Sequence, residues 1–461
     1  MTDLPLISFK RYIQELTDEE IITFEAWTKE AQEELYKKLL PSKNTLWLEN
    51  AFRKKQNILF KPESISISHK YNCFYFYIPS GTIAVNITDE LLDYIVQLRS
   101  SNIYFEVKLT QKIPITITKA IYKGDLIAIY EADYDFDRAK ELLNEYKPIC
   151  LIMYAIGYKP TNTAIASKLA MILPLFRFND RAIHTATFTP PRFGKTKTAS
   201  ILRGLTPSYL TTMPTPSKLV YDGAKGRYGL TYFYSTIYID EFDKIQSSKR
   251  KDVFKESYEI LLTGMSEGYW TREVSSKVGD FHNIVGFCFL GNWNNRLIET
   301  CTNINEYNKD SRSILYNLLE DIVYPKPFIE RLCYVEFIDE NVQAYKLLNY
   351  NENNEVMYLH PKVSRAIIKM LQDKTIEQPI YKKAESEIDH HFNSMKAVLT
   401  VLGLEIDDNT IEALVHGNTT FIDVLKHTEQ DVQDNADTHA TPDETDKPDE
   451  FEDIIDAHFN W

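Results

Sequence analysis

An α/β fold with a parallel sheet and a helical lid, preceded by a mixed α+β domain, is what this sequence predicts, and three runs of residues predict it. The apolar, β-branched stretch Tyr232 to Ile239 reads as one buried strand ending in Asp240-Glu241. A second strand-like run, Ala182 to Phe188, leads into Thr189-Pro190-Pro191-Arg192-Phe193-Gly194-Lys195-Thr196 and a helix-compatible stretch from Lys197 to Arg203. A third, Ile284 to Leu290, ends in Gly291-Asn292. Continuous apolar runs mark strands covered on both faces, as parallel strands are. Ligands of such sheets sit beyond the carboxyl ends of the strands, which is where all three runs deliver polar residues.

Taken in chain order, Thr17-Asp18-Glu19-Glu20 reads as a capping box opening an amphipathic helix through Ile21, Phe24, Ala31 and Leu35 until Pro41. From Ser64 to Ala132 apolar and polar residues alternate, as in Ser64-Ile65-Ser66-Ile67-Ser68 and Ile113-Pro114-Ile115-Thr116-Ile117, with turn signals at Gly81 and Gly124 and a short helix at Asp89 to Leu98. These features make residues 1–148 a mixed α+β domain, with an oligonucleotide-binding barrel as one identity. Tyr71, Phe74, Tyr75 and Phe76 read more readily as core than as a base-stacking platform.

Residues 149–340 form the expected core. The loop before Lys195 follows the outline G-x-x-x-x-G-K-[ST], in which backbone N–H groups at a helix N-terminus wrap phosphates, a lysine reaches the β and γ phosphates, and a hydroxyl meets Mg²⁺. Gly194, Lys195 and Thr196 fit; Thr189 stands in place of the first glycine, and two prolines remove N–H donors from the loop. Roughly forty residues on, Asp240 would hold Mg²⁺ and Glu241 would orient the attacking water. The plainer reading of Asp240-Glu241, as carboxylates at the positive end of a following helix, loses ground once the lysine loop is paired with it. Asn292 faces the same site, or else sits in a turn before Trp293-Asn294-Asn295. Phe254, Tyr258, Leu261, Leu262 and Met265 mark a helix face, and Trp270 to Phe281 reads as a hairpin carrying Arg272 and Lys277.

Residues 341–427 read as a helical lid, from Pro361 to Leu371, Glu385 to Leu402 and Thr410 to Lys426. The last stretch, 428–461, has 12 acidic residues and one lysine, so most of the net charge of −14 lies there and the body is nearly neutral. Overall acidity therefore does not exclude a nucleic-acid partner. That stretch is disordered by composition, yet Phe451, Ile454, Ile455, Phe459 and Trp461 give it an apolar end suited to docking a protein.

With 44% apolar residues, the chain can bury substantial cores. Its longest apolar runs, Ile149 to Ile156 and Leu169 to Phe176, fall short of the ~18 residues of a membrane span. Met1 to Tyr12 lacks a signal-peptide core, and a cytoplasmic protein is expected. Cys73, Cys150, Cys288, Cys301 and Cys333 are scattered and contain no C-x-x-C pair, so they read as reduced core residues rather than a disulfide framework or a zinc ribbon.

In this order, the lysine loop, the acidic strand end, the asparagine-tipped strand, a late arginine and a helical lid resemble the AAA+ ATPases from Cys150 to Lys426. Ile239-Asp240-Glu241-Phe242-Asp243-Lys244, Gly229-Leu230-Thr231 and Glu330-Arg331-Leu332 are similar to segments of the MCM replicative helicases, while the Tyr-Ile-Asp-Glu-x-Asp-Lys-Ile phrase is also similar to the Clp and Lon unfoldases. The resemblance implies an ATP hydrolase with Lys195 and Thr196 on phosphates and Mg²⁺, Asp240 and Glu241 on metal and water, and Asn292 as first sensor. It also implies a homo-oligomeric ring, such as a hexamer, with Arg331 reaching into a neighbour's site; otherwise Arg331 is a surface ion-pair partner. The chain departs from the MCM pattern in lacking the zinc cysteines, the long insert before the acidic strand, the hairpin lysine, replaced by Val274, and a secure second-sensor arginine, for which Arg365 and Lys396 are candidates. It reads as a divergent member of the kind a mobile element carries.

Three functions follow: a motor acting on DNA, with Arg272 and Lys277 gripping phosphates; a protein-remodelling ATPase contacting polypeptide through Tyr269 and Trp270; and a nucleotide-gated assembly scaffold, suggested by Thr189 and the loop prolines.

Overall fold

The computed structural model of the protein describes residues 4–18, 21–23, 46–55, 57–62, 64–68, 71–78, 81–89, 91–92, 103–116, 119–131, 134–223, 227–274, 277–292, 311–338 and 344–425. The acidic segment 428–461, Cys301, Trp293 to Asn295, most of the Asp89 to Leu98 helix and the side chain of Lys277 lie outside the described residues.

Strand β1 (Leu6–Ser8) and helix α1 (Phe9–Asp18) open the chain. The helix expected to start at Thr17 is corrected here, because α1 ends at Asp18. The β-branched triplet of β2 (Ile21–Thr23) then pairs antiparallel with β3 (Asn57–Phe60), Ile21 opposite Phe60. Residues 24–45 are not described. Helix α2 (Leu46–Arg53) precedes β3, and β4 (Ser64–Ser68), β5 (Cys73–Ile78), β6 (Gly81–Asn86), β7 (Ile103–Thr116) and β8 (Lys119–Glu131) complete a sheet in the order β2-β3-β7-β8-β6-β5-β4. Strands β3 and β4 follow one another in the chain yet pair at opposite flanks of the rest, β3 with β7 and β4 with β5, and β6 runs parallel to β8, a strand order compatible with the oligonucleotide-binding barrel raised as one identity. Phe60, Phe74, Phe76 and Phe105 fill its core, with Phe76 and Phe105 centroids 4.4 Å apart; Tyr75 is buried as well, and Tyr71 is exposed.

Three helices lead to the second sheet: α3 (Phe136–Glu145), α4 (Pro148–Ala155) and α5 (Asn162–Ile172). The sheet itself consists of β9 (Thr185–Thr189), β10 (Ser208–Thr212), β11 (Thr236–Asp240), β14 (Gly286–Asn292) and β15 (Tyr334–Phe337), all parallel in the order β10-β11-β14-β9-β15. Helix α6 (Lys195–Leu205) follows β9. On β14, Cys288 and Leu290 enter one hydrophobic cluster with α5 and α6, whereas Phe287 and Phe289 enter another with α8 (Ser248–Glu267) and α9 (Ser311–Leu319). Burial on both faces explains the unbroken apolar runs in the sequence.

The single strand expected over Tyr232 to Ile239 divides in two. Leu230–Phe233 is a helical turn, α7, and β11 starts at Thr236. Tyr232 and Phe233 turn away because their rings pack into the aromatic core of the N-terminal sheet, alongside Phe281 from the hairpin of β12 (Tyr269–Val274) and β13 (Lys277–His282).

After β15 come β16 (Met357–Leu359), α10 (Pro361–Ile376), α11 (Glu387–Leu402) and α12 (Asp408–His416). These helices share one core with α3 to α6, and β1 pairs with β16, Leu6 opposite Leu359. Strand β1 and helices α1 and α3 pack with the C-terminal helices, through Ile7, Tyr12, Ala139 and Leu142. No helix among the described residues is long and apolar enough to cross a membrane.

Candidate functional site

The carboxyl ends of β9, β11 and β14 meet. Thr189, the last residue of β9, lies opposite Asn292 in the register with β14, which itself pairs with β11 up to Ile239. From Thr189 the chain turns through Pro190 and Pro191 to Arg192 and Gly194, both at positive φ, 64° and 79°. Gly194 is required twice over: its backbone is left-handed, and an added Cβ would stand 2.8 Å from the Tyr158 hydroxyl. It caps α6, whose first internal bond runs from Thr198 N to Gly194 O. The N–H groups of Lys195, Thr196 and Lys197 consequently have no acceptor inside the helix and point to its positive end, which is an anion-binding geometry.

Lys195 is buried. Its Nζ donates to Thr189 Oγ1 at 2.8 Å and to Asn292 Oδ1 at 2.8 Å. Burial pushes its pKa down to about 8; the charge of Lys168 acts in the same direction, and Asp240 and Asp243 oppose it. Thr196 Oγ1 donates to Asp240 Oδ2 at 2.8 Å, and Asp240 Oδ1 accepts from Glu241 N at 2.8 Å. Glu241 has a φ of 57°, an uncommon state for a residue with a side chain. Its carboxylate accepts from Lys244 and Arg250, whose hydrogen bonds hold its pKa below the usual carboxylate value. Arg250 also donates to Glu241 O at 3.1 Å. The Asn292 backbone N–H is fixed by Asp243 Oδ1 at 2.9 Å, and burial raises the Asp243 pKa.

Gly194, Lys195, Thr196, Asp240, Glu241 and Asn292 thus lie at one place in the fold. Arg331 lies apart from them, just before β15 at the amino ends of the strands, where Nε donates to Leu262 O at 2.7 Å and Nη1 to Pro327 O at 2.6 Å. Arg272 donates to Tyr221 O, so its guanidinium is engaged within the chain. Arg365 is fully buried in α10, and Lys396 pairs with Asp408 between α11 and α12. Trp270 is fully buried beneath α8, leaving Tyr269 as the exposed aromatic of the hairpin.

Sequence reasoning did not single out Thr189, Asp243 and Arg250 as partners of Lys195, Asn292 and Glu241, nor Lys168, whose charge bears on Lys195. The signal for Lys168 was available, because it is the one charged residue in the apolar run from Ala164 to Phe176. Arg250 was hidden inside Lys249-Arg250-Lys251, a cation run that looks like solvated surface.

Residues 123–336 match the family described as Lon-like protease BrxL-like, ATPase domain. The match supports an ATPase of the AAA+ kind. The matched segment begins inside β8 and ends inside β15, so it takes in α3 to α9 and the parallel sheet up to Glu336. Two viral proteins are also similar to the chain. Uncharacterized protein ORF426 of Acidianus filamentous virus 1 (isolate United States/Yellowstone) is 26% identical over 309 residues, covering 64% of this chain and 70% of the viral protein. Uncharacterized protein ORF425 of Acidianus filamentous virus 2 (isolate Italy/Pozzuoli) is 26% identical over 250 residues, covering 47% of this chain and 54% of that relative, about half its length.

Proposed function

We propose that the protein is a ring-forming AAA+ ATPase, a homo-oligomer such as a hexamer, that hydrolyses ATP to translocate on or remodel DNA in the manner of a replication helicase or initiator. The convergence of Lys195, Asp240 and Asn292 at adjacent strand ends is the observation that carries the ATPase part. In this reading Lys195 and the N–H groups of the first turn of α6 take the β and γ phosphates. Glu241 and Asn292 orient a water for in-line attack; the new bond joins water oxygen to the γ phosphorus, the bridging bond to the β phosphate breaks, and ADP and phosphate leave.

The Thr196 hydroxyl and the Asp240 carboxylate, in contact at 2.8 Å, are hard oxygen donors of the kind Mg²⁺ takes together with phosphate oxygens. When bound, Mg²⁺ neutralises charge on the phosphates.

The DNA part rests on the resemblance to MCM helicases around Asp240 and Arg331. A role for Arg331 in a neighbour's site is supported by its position at the strand ends opposite its own phosphate loop. The acidic segment 428–461 serves a protein partner in the same reading. A protein-remodelling ATPase is the second reading, favoured by the exposed Tyr269, whose ring meets His282 at 4.9 Å, and by the protease in the matched family's description. ATP turnover of the wild type and of Glu241→Gln, measured with single-stranded DNA, duplex DNA or an unfolded protein, separates the two. Stimulation by DNA, weakening as salt rises, is expected. Stimulation by the unfolded protein alone overturns the DNA reading, and absence of turnover in every condition overturns both.

A further inference from the structure

Lys168 is a fully buried ammonium directly behind the phosphate loop. Its Nζ donates to Phe193 O at 3.1 Å and lies 4.3 Å from the Phe193 ring centroid and 4.6 Å from that of Tyr158. Tyr158 in turn bounds Gly194 through its hydroxyl. The two residues of the loop just before Lys195 are therefore positioned by groups outside the loop. Within charge range of Lys168 is Glu336, fully buried on β15, whose carboxylate accepts from Thr187 Oγ1 of β9 at 2.8 Å and from Tyr334 Oη at 3.1 Å. An alkyl side chain would fill the Lys168 position without the cost of burying an ammonium. The loop it touches has two prolines and lacks the usual first glycine, so fewer N–H groups are available to hold its path.

We propose that Lys168 is a positioning residue for the phosphate loop: its bond to Phe193 O and its place between the Tyr158 and Phe193 rings set the path of the Phe193–Gly194 peptide, and with it the nucleotide-binding end of α6. The inference rests on the reading of this loop as the ATP site. Lys168 touches none of the groups assigned to the attacking water, so its loss acts on nucleotide capture and leaves the bond-breaking step in place.

Steady-state ATP hydrolysis by full-length wild type, Lys168→Met and Lys168→Arg tests it. The hydrogen bond to Phe193 O is lost in Lys168→Met, and KM for ATP is expected to rise about tenfold with kcat within about twofold of wild type. Lys168→Arg, which keeps an N–H donor of different reach, is expected to fall between the two. A residue that only supported folding would instead lower kcat, through the fraction of active protein, at unchanged KM. Unchanged KM in folded Lys168→Met overturns the proposal; where that variant does not fold, unchanged KM in Lys168→Arg does so. Wild type that binds no ATP overturns the site reading and this inference together, whereas wild-type binding with unaltered variants overturns this inference alone.

Discussion

Lys195 and Gly194 show how single residues set the properties of the site. Because burial pushes Lys195 down to about 8, its ammonium is lost as pH rises through 8, while a polyphosphate prefers it protonated. ATP affinity is therefore expected to fall between roughly pH 7.5 and 9, measured by titration calorimetry. Stability moves the other way. The unfolded chain keeps the lysine proton to its ordinary value of 10.5, so between 8 and 10.5 it binds more protons than the folded chain, and this group's contribution rises with pH. Lys168, pushed down to about 7 by burial against the pull of Glu336, adds to both trends; Asp240 and Asp243, the acids facing Lys195, oppose them. Gly194→Ala is expected to destabilise by about 1–2 kcal/mol from the left-handed backbone alone, with KM for ATP raised by the contact with Tyr158, read from denaturant unfolding and from kinetics. Motif spacing made Lys195, Asp240, Glu241 and Asn292 legible in the sequence, since each ends or follows an apolar run. Arg250 and Asp243 were not legible, since their partners, Glu241 and the Asn292 N–H, meet them only in the fold; Lys168 stood out as a charge in an apolar run, but its partner Phe193 O did not.

Elements follow the same rule. Strands β9, β11 and β14 were readable because both their faces are covered. The hairpin of β12 and β13 was expected over Trp270 to Phe281, and its strands run from Tyr269 to His282. The error at Tyr232 and Phe233 has a physical cause: aromatic residues suit strands, but here their rings serve the neighbouring sheet, and only a helical turn aims both at it. The error at Thr17 is similar, since local capping chemistry yields to the cross-strand partners available to Ile21. The base of the hairpin rests on Trp270, fully buried against Gly264, whose added Cβ would stand 2.3 Å from the indole ring. Trp270→Ala is expected to cost about 3–5 kcal/mol in denaturant unfolding. It should also raise hydrogen exchange in β12 and β13 while leaving ATP binding intact, because the indole lies on the α8 face of the sheet, distant from Lys195.

Across the whole molecule, residues 6–18 join the phosphate-loop helix to the C-terminal helices. The Phe9 ring lies under Lys197 Nζ at 4.4 Å, Leu16 covers Gly204, Tyr12 stacks on Tyr358 with centroids 4.3 Å apart, and β1 completes a ribbon with β16. Removal of residues 1–18 is expected to lower Tm and to speed hydrogen exchange in α6, with the sheet of β2 to β8 little affected; equal loss of protection in both would refute this. The pairing of Leu6 with Leu359 has a consequence for synthesis. Roughly 350 residues separate the partners, and a contact so distant in sequence forms late, after its loop has been closed by other structure. On a ribosome, α6 and its lysine would emerge long before β16, and the amino-terminal strand would wait unpaired through the making of the entire parallel sheet. A nascent chain thus gains its clamp on the phosphate-loop helix only after β16 has been made.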